Sequence, residues 1–258
     1  MRFLITFFLF LWTFVPTRAQ LPQAHAHNDY EHEKPLADAL RYGFTSIEVD
    51  VHLVDGELYV SHDPPQRKRR RRTLRRLYLD PLQRRIEKNG GEVYPGYGGA
   101  FYLMIDIKTD AEATYQELRR QLEAYQPMLT TYAEDQKKPG AVTVFLSGNR
   151  PIETVKKERQ RLVALDGRPS DLGKGYSPDL MPVVSDNYRN HLRWRGEGPI
   201  PAEEKAYLKS LCEKVRSEGK LLRLWASPEK EVVWKLLLES GAGFISTDEL
   251  ERFYKFKN

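Results

Sequence analysis

Alternating apolar and polar positions divide the chain into short runs that read as strands, separated by longer runs of helical period. Residues 24–27, 45–53, 57–62, 102–108, 141–146, 162–165, 181–184, 221–225 and 244–246 carry the pattern of strands. Asp55-Gly56, between the second and third of these, reads as a hairpin-type turn. Helical spacing marks 35–42, 111–125, 151–160, 202–218 and 228–240, and Gly43, Gly219 and Gly241 stop three of them. This β/α alternation, over about 240 residues with no Pro- or Gly-rich linker, predicts a single-domain α/β fold, a TIM-like (β/α)8 barrel. An open doubly wound sheet is the alternative, but no Gly-rich nucleotide turn supports it.

Strand phase then selects the chemistry. In 45–53 the residues Ile47, Val49, Val51 and Leu53 take one face, so Glu48 and Asp50 share the other. In 102–108 Asp106 and Lys108 lie opposite Leu103, Ile105 and Ile107. Barrel enzymes place their sites at the C-terminal ends of the strands, where His27 and His62 also fall. Three inward carboxylates repel one another unless a cation neutralises them, so Glu48, Asp50 and Asp106 are the expected ligands of one divalent cation, Mg²⁺ or Ca²⁺. The alternative is a structural network in which Lys108 and nearby arginines do the neutralising. His27 and His62 supply an acid/base pair beside this centre. His25 is a second choice, expected to face away from His27 where strand phasing holds. His52 shares the phase of Glu48 and Asp50, with a place in the loop before Asp55-Gly56 as the alternative.

The first residues change the compartment. Arg2, an apolar run over 3–15 and Thr17-Arg18-Ala19 read as a secretory leader over 1–19, cleaved after Ala19. The run is short for a membrane span, and an uncleaved anchor is the alternative. An exported protein, periplasmic or extracellular, is expected. Cys212 is the only cysteine, so no internal disulfide forms, and it is expected to be buried as a small hydrophobe.

Charge is local rather than global. The formal net charge is +5, and loss of Arg2 and Arg18 with the leader takes it to +3. Arg67, Lys68, Arg69, Arg70, Arg71, Arg72, Arg75 and Arg76 carry eight positive charges, so the remainder stands at −5. This run follows His62 and is expected to overhang the barrel mouth, as a solvated face or as a trap for anionic head groups. It lacks interleaved aromatics, which argues against nucleic acid. No obligate protein partner is evident.

Together these residues resemble the glycerophosphodiester phosphodiesterase and phosphatidylinositol-specific phospholipase C superfamily. The likeness is carried by His25-Ala26-His27-Asn28-Asp29-Tyr30, Glu48-Val49-Asp50-Val51, His62-Asp63, Asp106-Ile107-Lys108, the run 221–225 and Gly243-Phe244-Ile245-Ser246-Thr247-Asp248. The opening motif is most similar to that of exported bacterial members. The resemblance implies that His27 and His62 are acid and base, and that Glu48, Asp50 and Asp106 bind the metal. It also implies that Lys108 touches the phosphate. It places Trp225 in the pocket or as barrel filling, and Arg223, in phase with it, on a phosphate or in a surface salt bridge. Asn28 and Asp29 are further candidates for substrate binding or for orienting the metal or His27. Two departures stand out: Asn28-Asp29 replaces the common Arg-Gly after the first histidine, and Asp106 replaces a glutamate, as in sphingomyelinase D toxins.

The expected activity is metal-dependent hydrolysis of glycerophosphodiesters or phospholipid head groups by histidine acid/base catalysis, through a cyclic phosphate. A non-catalytic envelope protein that binds phosphorylated ligands is the alternative, although such a protein needs no paired acid and base.

Overall fold

A computed structural model describes residues 20–133 and 136–258; the leader expected over 1–19 lies outside the described residues. The chain opens with strand β1 (Leu21–Ala26), helix α1 (Ala37–Arg41) and the long strand β2 (Phe44–Val54). The Asp55-Gly56 turn, with both residues at positive φ, folds β3 (Glu57–Val60) back antiparallel on β2. Helix α2 (Asp80–Lys88) precedes β4 (Phe101–Ile107), and α3 (Ala111–Glu123) follows it. Two short strands, β5 (Thr131–Ala133) and β6 (Gln136–Lys138), come before β7 (Val142–Gly148), α4 (Ile152–Lys157), β8 (Gln160–Arg161) and β9 (Val163–Gly167). The last third runs β10 (Val183–Asn187), α5 (Ala202–Ser217), β11 (Leu221–Trp225), α6 (Glu231–Ser240), β12 (Phe244–Thr247) and α7 (Leu250–Lys257).

Eight parallel strands close into a barrel in the order β1, β2, β4, β7, β9, β10, β11, β12, and β1 pairs with both β2 and β12 to complete the ring. The expected TIM-like barrel is therefore the fold. β3 is an appendage on β2, and β5, β6 and β8 form a separate small sheet.

Period-two alternation divides the core into two parts. Outward residues such as Val49, Val51, Leu103, Ile105, Val144 and Leu146 pack under the helices. Met104, Phe145, Ala164, Val183 and Phe244 fill the barrel interior. Two residues further along these strands, on the same inward face, stand Asp106, Ser147, Asp166, Ser185 and Ser246, all near the C-terminal ends. The axis thus changes from apolar to polar within one pleat. Cys212 is buried on α5, as expected of a small hydrophobe.

Three elements go beyond the sequence pattern. Residues 75–88 form a wide helical turn running into α2, so Arg75 and Arg76 belong to a helix and not to a loop. The small sheet has short, mostly exposed strands whose polar residues give no apolar alternation. The third is α7, which packs on β1 and inserts Phe253 between Phe44 and Trp234, at ring-centroid distances of 6.0 and 5.2 Å. Phe253→Ala should open a cavity there and cost about 3–5 kcal/mol, seen as a lower urea midpoint at unchanged slope. A loss under about 1 kcal/mol would show that α7 does not stabilise the barrel.

Candidate active site

At the C-terminal mouth, β2 presents Glu48 and Asp50, and its parallel neighbour β4 presents Asp106 in register with Asp50. One carboxylate oxygen from each of the three lies within 4.8 Å of the others. Glu48 and Asp50 are buried, at 5% and 0% exposure. Charges this close and this dry need opposite charge beside them. Lys108, just past the end of β4, places Nζ 3.0 Å from both Asp50 Oδ2 and Asp106 Oδ1. Arg223 on β11 reaches across the barrel and donates Nη2 to Glu48.

The cations leave the carboxylates unequal. Burial works against the Glu48 charge, but Arg223 and the His25 hydrogen bond outweigh it and bring its pKa down to about 2. Asp106 is pushed up to about 6 by burial; Lys108 opposes this, and the Glu48 and Asp50 charges add to it. Asp50 Oδ2 accepts from the Tyr30 hydroxyl at 2.7 Å and lies 3.2 Å from His62 Nδ1. Its Oδ1 is buried with no hydrogen-bond partner among the described residues. A bare oxygen on a fully buried carboxylate, beside two more carboxylates, fits a hard cation.

The two histidines are oriented alike. His27 Nδ1 is 2.8 Å from Asp248 Oδ1, and His62 Nδ1 faces Asp50. A carboxylate on Nδ1 fixes the ring and the tautomer, and leaves Nε2 to exchange a proton. Burial disfavours the His27 charge, yet the Asp248 hydrogen bond and the Glu48 charge prevail and raise its pKa. His62 is the more open, with 62% of its side chain exposed.

Other candidates fall elsewhere. Arg223 is 3% exposed and is the counter-ion of Glu48, with Ser246 Oγ at 3.3 Å, so its ion pair is buried and not at the surface. Asp29 is fully buried. Its Oδ2 accepts from the Leu36 amide at 2.6 Å and the Tyr78 hydroxyl at 2.8 Å, which ties down the start of α1. Asn28 sits in the left-handed region at φ 45, a conformation Asn tolerates, and its Oδ1 accepts from Tyr30 at 3.1 Å. Trp225 is 38% exposed at the end of β11, so it does not fill the barrel.

His25 does not face away from His27. Residues i and i+2 of a strand share a face, and His25 points into the barrel, between Ser46 Oγ at 2.7 Å and Glu48 Oε2 at 3.2 Å. Burial, with Arg223 nearby, lowers its pKa to about 3, so it is a neutral strut under Glu48. His52 serves the backbone instead: its Nε2 meets the His62 carbonyl at 3.2 Å and holds that segment in place.

Sequence reasoning assigned no role to Tyr30 or Asp248. Asp248 continues the inward phase of Phe244 and Ser246, a signal that was present in the sequence. Tyr30 lies on a loop, where no periodicity points to it.

Similarity to known proteins places this α/β barrel in a phosphodiesterase-like class. Residues 17–166 match the AIM6-like phosphodiesterase domain, and the chain belongs to that family. It is 28% identical over 269 residues to the altered inheritance of mitochondria protein 6 homolog of Arthroderma benhamiae, covering 91% of this chain and 83% of that protein. It is 30% identical to altered inheritance of mitochondria protein 6 of Eremothecium gossypii, with 92% and 69% covered. With the Lachancea thermotolerans protein identity is 29%, over 90% of this chain but only 64% of that protein's length. The fold is similar to that of phosphatidylinositol-specific phospholipase C from Listeria monocytogenes, with a TM-score of 0.51 at 10% identity, covering 95% and 96% of the two chains. The three altered inheritance of mitochondria protein 6 relatives are fungal, so the expected bacterial exported branch gains no support from them. A six-residue motif describes a barrel mouth, not a lineage.

Tyr30→Phe removes the hydroxyl that donates to the buried Asp50 and neighbours His62. It should cost about 1–3 kcal/mol of stability and shift the His62 imidazole resonances. Unchanged stability and resonances would show that the hydroxyl holds neither group.

Proposed function

We propose that the protein is a phosphodiester hydrolase acting on glycerophosphodiesters or phospholipid head groups. The observation that carries this reading is the pair of carboxylate-oriented histidines flanking three clustered carboxylates, one of which buries a bare oxygen. Glu48, Asp50 and Asp106 would hold one Mg²⁺ or Ca²⁺. When bound, such a cation polarises phosphoryl oxygens and offsets the charge that develops on them.

The chain's own groups do the rest. One histidine accepts the proton of the attacking hydroxyl on Nε2, and the other donates one to the leaving alkoxide. Lys108 has three donors, of which the two carboxylates engage two, so one remains for a non-bridging phosphate oxygen. Ser61, beside His62, donates its hydroxyl to the Asp63 carbonyl at 2.6 Å and supplies no nucleophile. The attacking oxygen in this reading is a substrate hydroxyl next to the phosphate, which gains effective molarity over water and gives a cyclic phosphate.

An aryl phosphodiester and a deacylated phospholipid, followed by phosphorus NMR, test this reading. Wild type should produce a cyclic species from the second substrate, and excess chelator should abolish turnover. His27→Ala and His62→Ala should each reduce turnover by ~10²-fold or more with folding intact. Full activity in chelator removes the cation. Absence of turnover in wild type, with phosphorylated ligands still bound, favours the non-catalytic alternative.

A partner follows from the basic run. Arg67, Lys68, Arg69, Arg70 and Arg71 are exposed shortly after His62, and among the described residues only Lys68 of the five pairs with a carboxylate, Asp55. Arg72 is different: its guanidinium donates to the Tyr30 and Val60 carbonyls, so it fastens the lip to the barrel. The five exposed cations fit an anionic membrane surface. Replacing Arg69, Arg70 and Arg71 by Gln should weaken binding to phosphatidylserine vesicles ~10-fold or more and flatten its salt dependence. Equal binding would leave the run as a solvated face.

A further inference from the structure

A second charged cluster stands at the mouth on the side away from both histidines. Ser147, at the end of β7, is in register with Asp106, and Asp166 at the end of β9 lies one strand further round. Asp166 is fully buried. Its Oδ2 accepts from Ser147 Oγ at 2.9 Å and from Arg168 Nη1 at 2.7 Å, and Arg168 Nη1 also donates to the Gly167 carbonyl at 2.9 Å. Arg150 donates Nη1 to the Asp166 backbone carbonyl. Two guanidinium groups therefore converge on one residue whose single charge cannot match both. Asp171 is close as well, but it accepts from the Arg168 amide and carries its own cation, Lys174, at 3.1 Å.

The cluster is also incompletely bonded. Arg150 Nε and Asp166 Oδ1 are buried without hydrogen-bond partners among the described residues. Burial first, and then the neighbouring Arg168 charge, hold the Arg150 pKa below the usual arginine range, against the opposing charges of Asp166, Asp171 and Asp106. Gly148, at φ +66, lets the chain turn tightly here; a Cβ at that position would overlap Asp106 Oδ1. The arginine cluster and the three-carboxylate centre are thus joined through Gly148. Two strand spacings, about 10 Å, separate Asp106 on β4 from Asp166 on β9.

We propose that Arg150 and Arg168 form a subsite for a second anionic group, a phosphate monoester, on the head group whose phosphodiester lies at Glu48, Asp50 and Asp106. The subsite rests on the phosphodiester reading of the mouth. Asp166 and Ser147 hold the Arg168 fork in one orientation, and guanidinium forks match phosphate oxygens in pairs. A substrate with the diester alone leaves this excess positive charge unmatched, so the enzyme discriminates for doubly phosphorylated head groups.

The test measures binding without turnover. Short alkanediol bisphosphates of increasing length are titrated calorimetrically against the corresponding monophosphates, in wild type, Arg150→Gln, Arg168→Gln and Arg168→Lys. In wild type the best-fitting bisphosphate should bind ~10-fold or more tighter than its monophosphate. The ratio should fall close to one in Arg150→Gln and Arg168→Gln. Arg168→Lys keeps a cation beside the buried Asp166, so it guards against loss of the fold, and it should retain an intermediate ratio. A wild-type ratio of one at every length, or an undiminished ratio in Arg150→Gln and Arg168→Lys, would overturn the subsite and leave the arginines as a structural clamp on Asp166. Because the ratio needs no hydrolysis, it decides the subsite even in a protein that cleaves no phosphodiester.

Discussion

Carboxylates confined inside a closed barrel must be neutralised, and the mouth of this protein is organised around that requirement. A ring of eight parallel strands turns every second side chain toward one axis. Glu48, Asp50 and Asp106 are brought together by backbone register alone. Left uncompensated, they would destabilise the closed state. Lys108 from the top of β4 and Arg223 from the far wall supply the opposing charge. The match is incomplete, since Asp50 Oδ1 stays bare and the Asp106 pKa stands at about 6. In the proposed reading, that residual deficit of positive charge is where a cation would gain the most.

The supporting residues follow from the same constraint. His25 under Glu48, Tyr30 beside Asp50 and Asp248 behind His27 each satisfy a polar group that the barrel would otherwise leave loose. Glu229 extends the support outward, accepting from the Thr247 hydroxyl at 2.7 Å and the Asp248 amide at 2.9 Å. A side chain whose rotamer is locked in this way holds its geometry when the substrate arrives. The phospholipase C of similar fold shares the barrel at 10% identity, which fits an architecture set by strand phase more than by particular side chains.

Charge is distributed by sign around the rim. The histidine side borders the exposed run after His62, where five cations face solvent. On the other side Arg150 and Arg168 converge on Asp166. Between them the carboxylates form the acidic floor. In the proposed reading, an anionic substrate would meet positive charge at the edges and the carboxylates at the centre, so different residues would serve its binding and its chemistry.

By itself the sequence determined the barrel and its floor. Period two on β2 and β4 was enough to put Glu48, Asp50, Asp106 and Lys108 on inward faces, because strand alternation is a local property. Glycine stops after α5 and α6 were equally local. What only the tertiary structure decided were the partnerships across the ring. Arg223 is 175 positions from Glu48, and Asp248 is 221 from His27. No local pattern encodes which inward side chain meets which across a closed sheet; that is set by closure of β1 on β12. The same limit explains the residues whose place the sequence did not show. Asp29 lies in a motif with His27, yet its loop turns it under α1. His25 shares His27's face and serves Glu48. Arg72 belongs by composition to a solvated run, but the fold fastens it to the Tyr30 carbonyl. Charge and hydrophobicity along a chain set which side chains seek partners; the path of the closed backbone sets which partners they find.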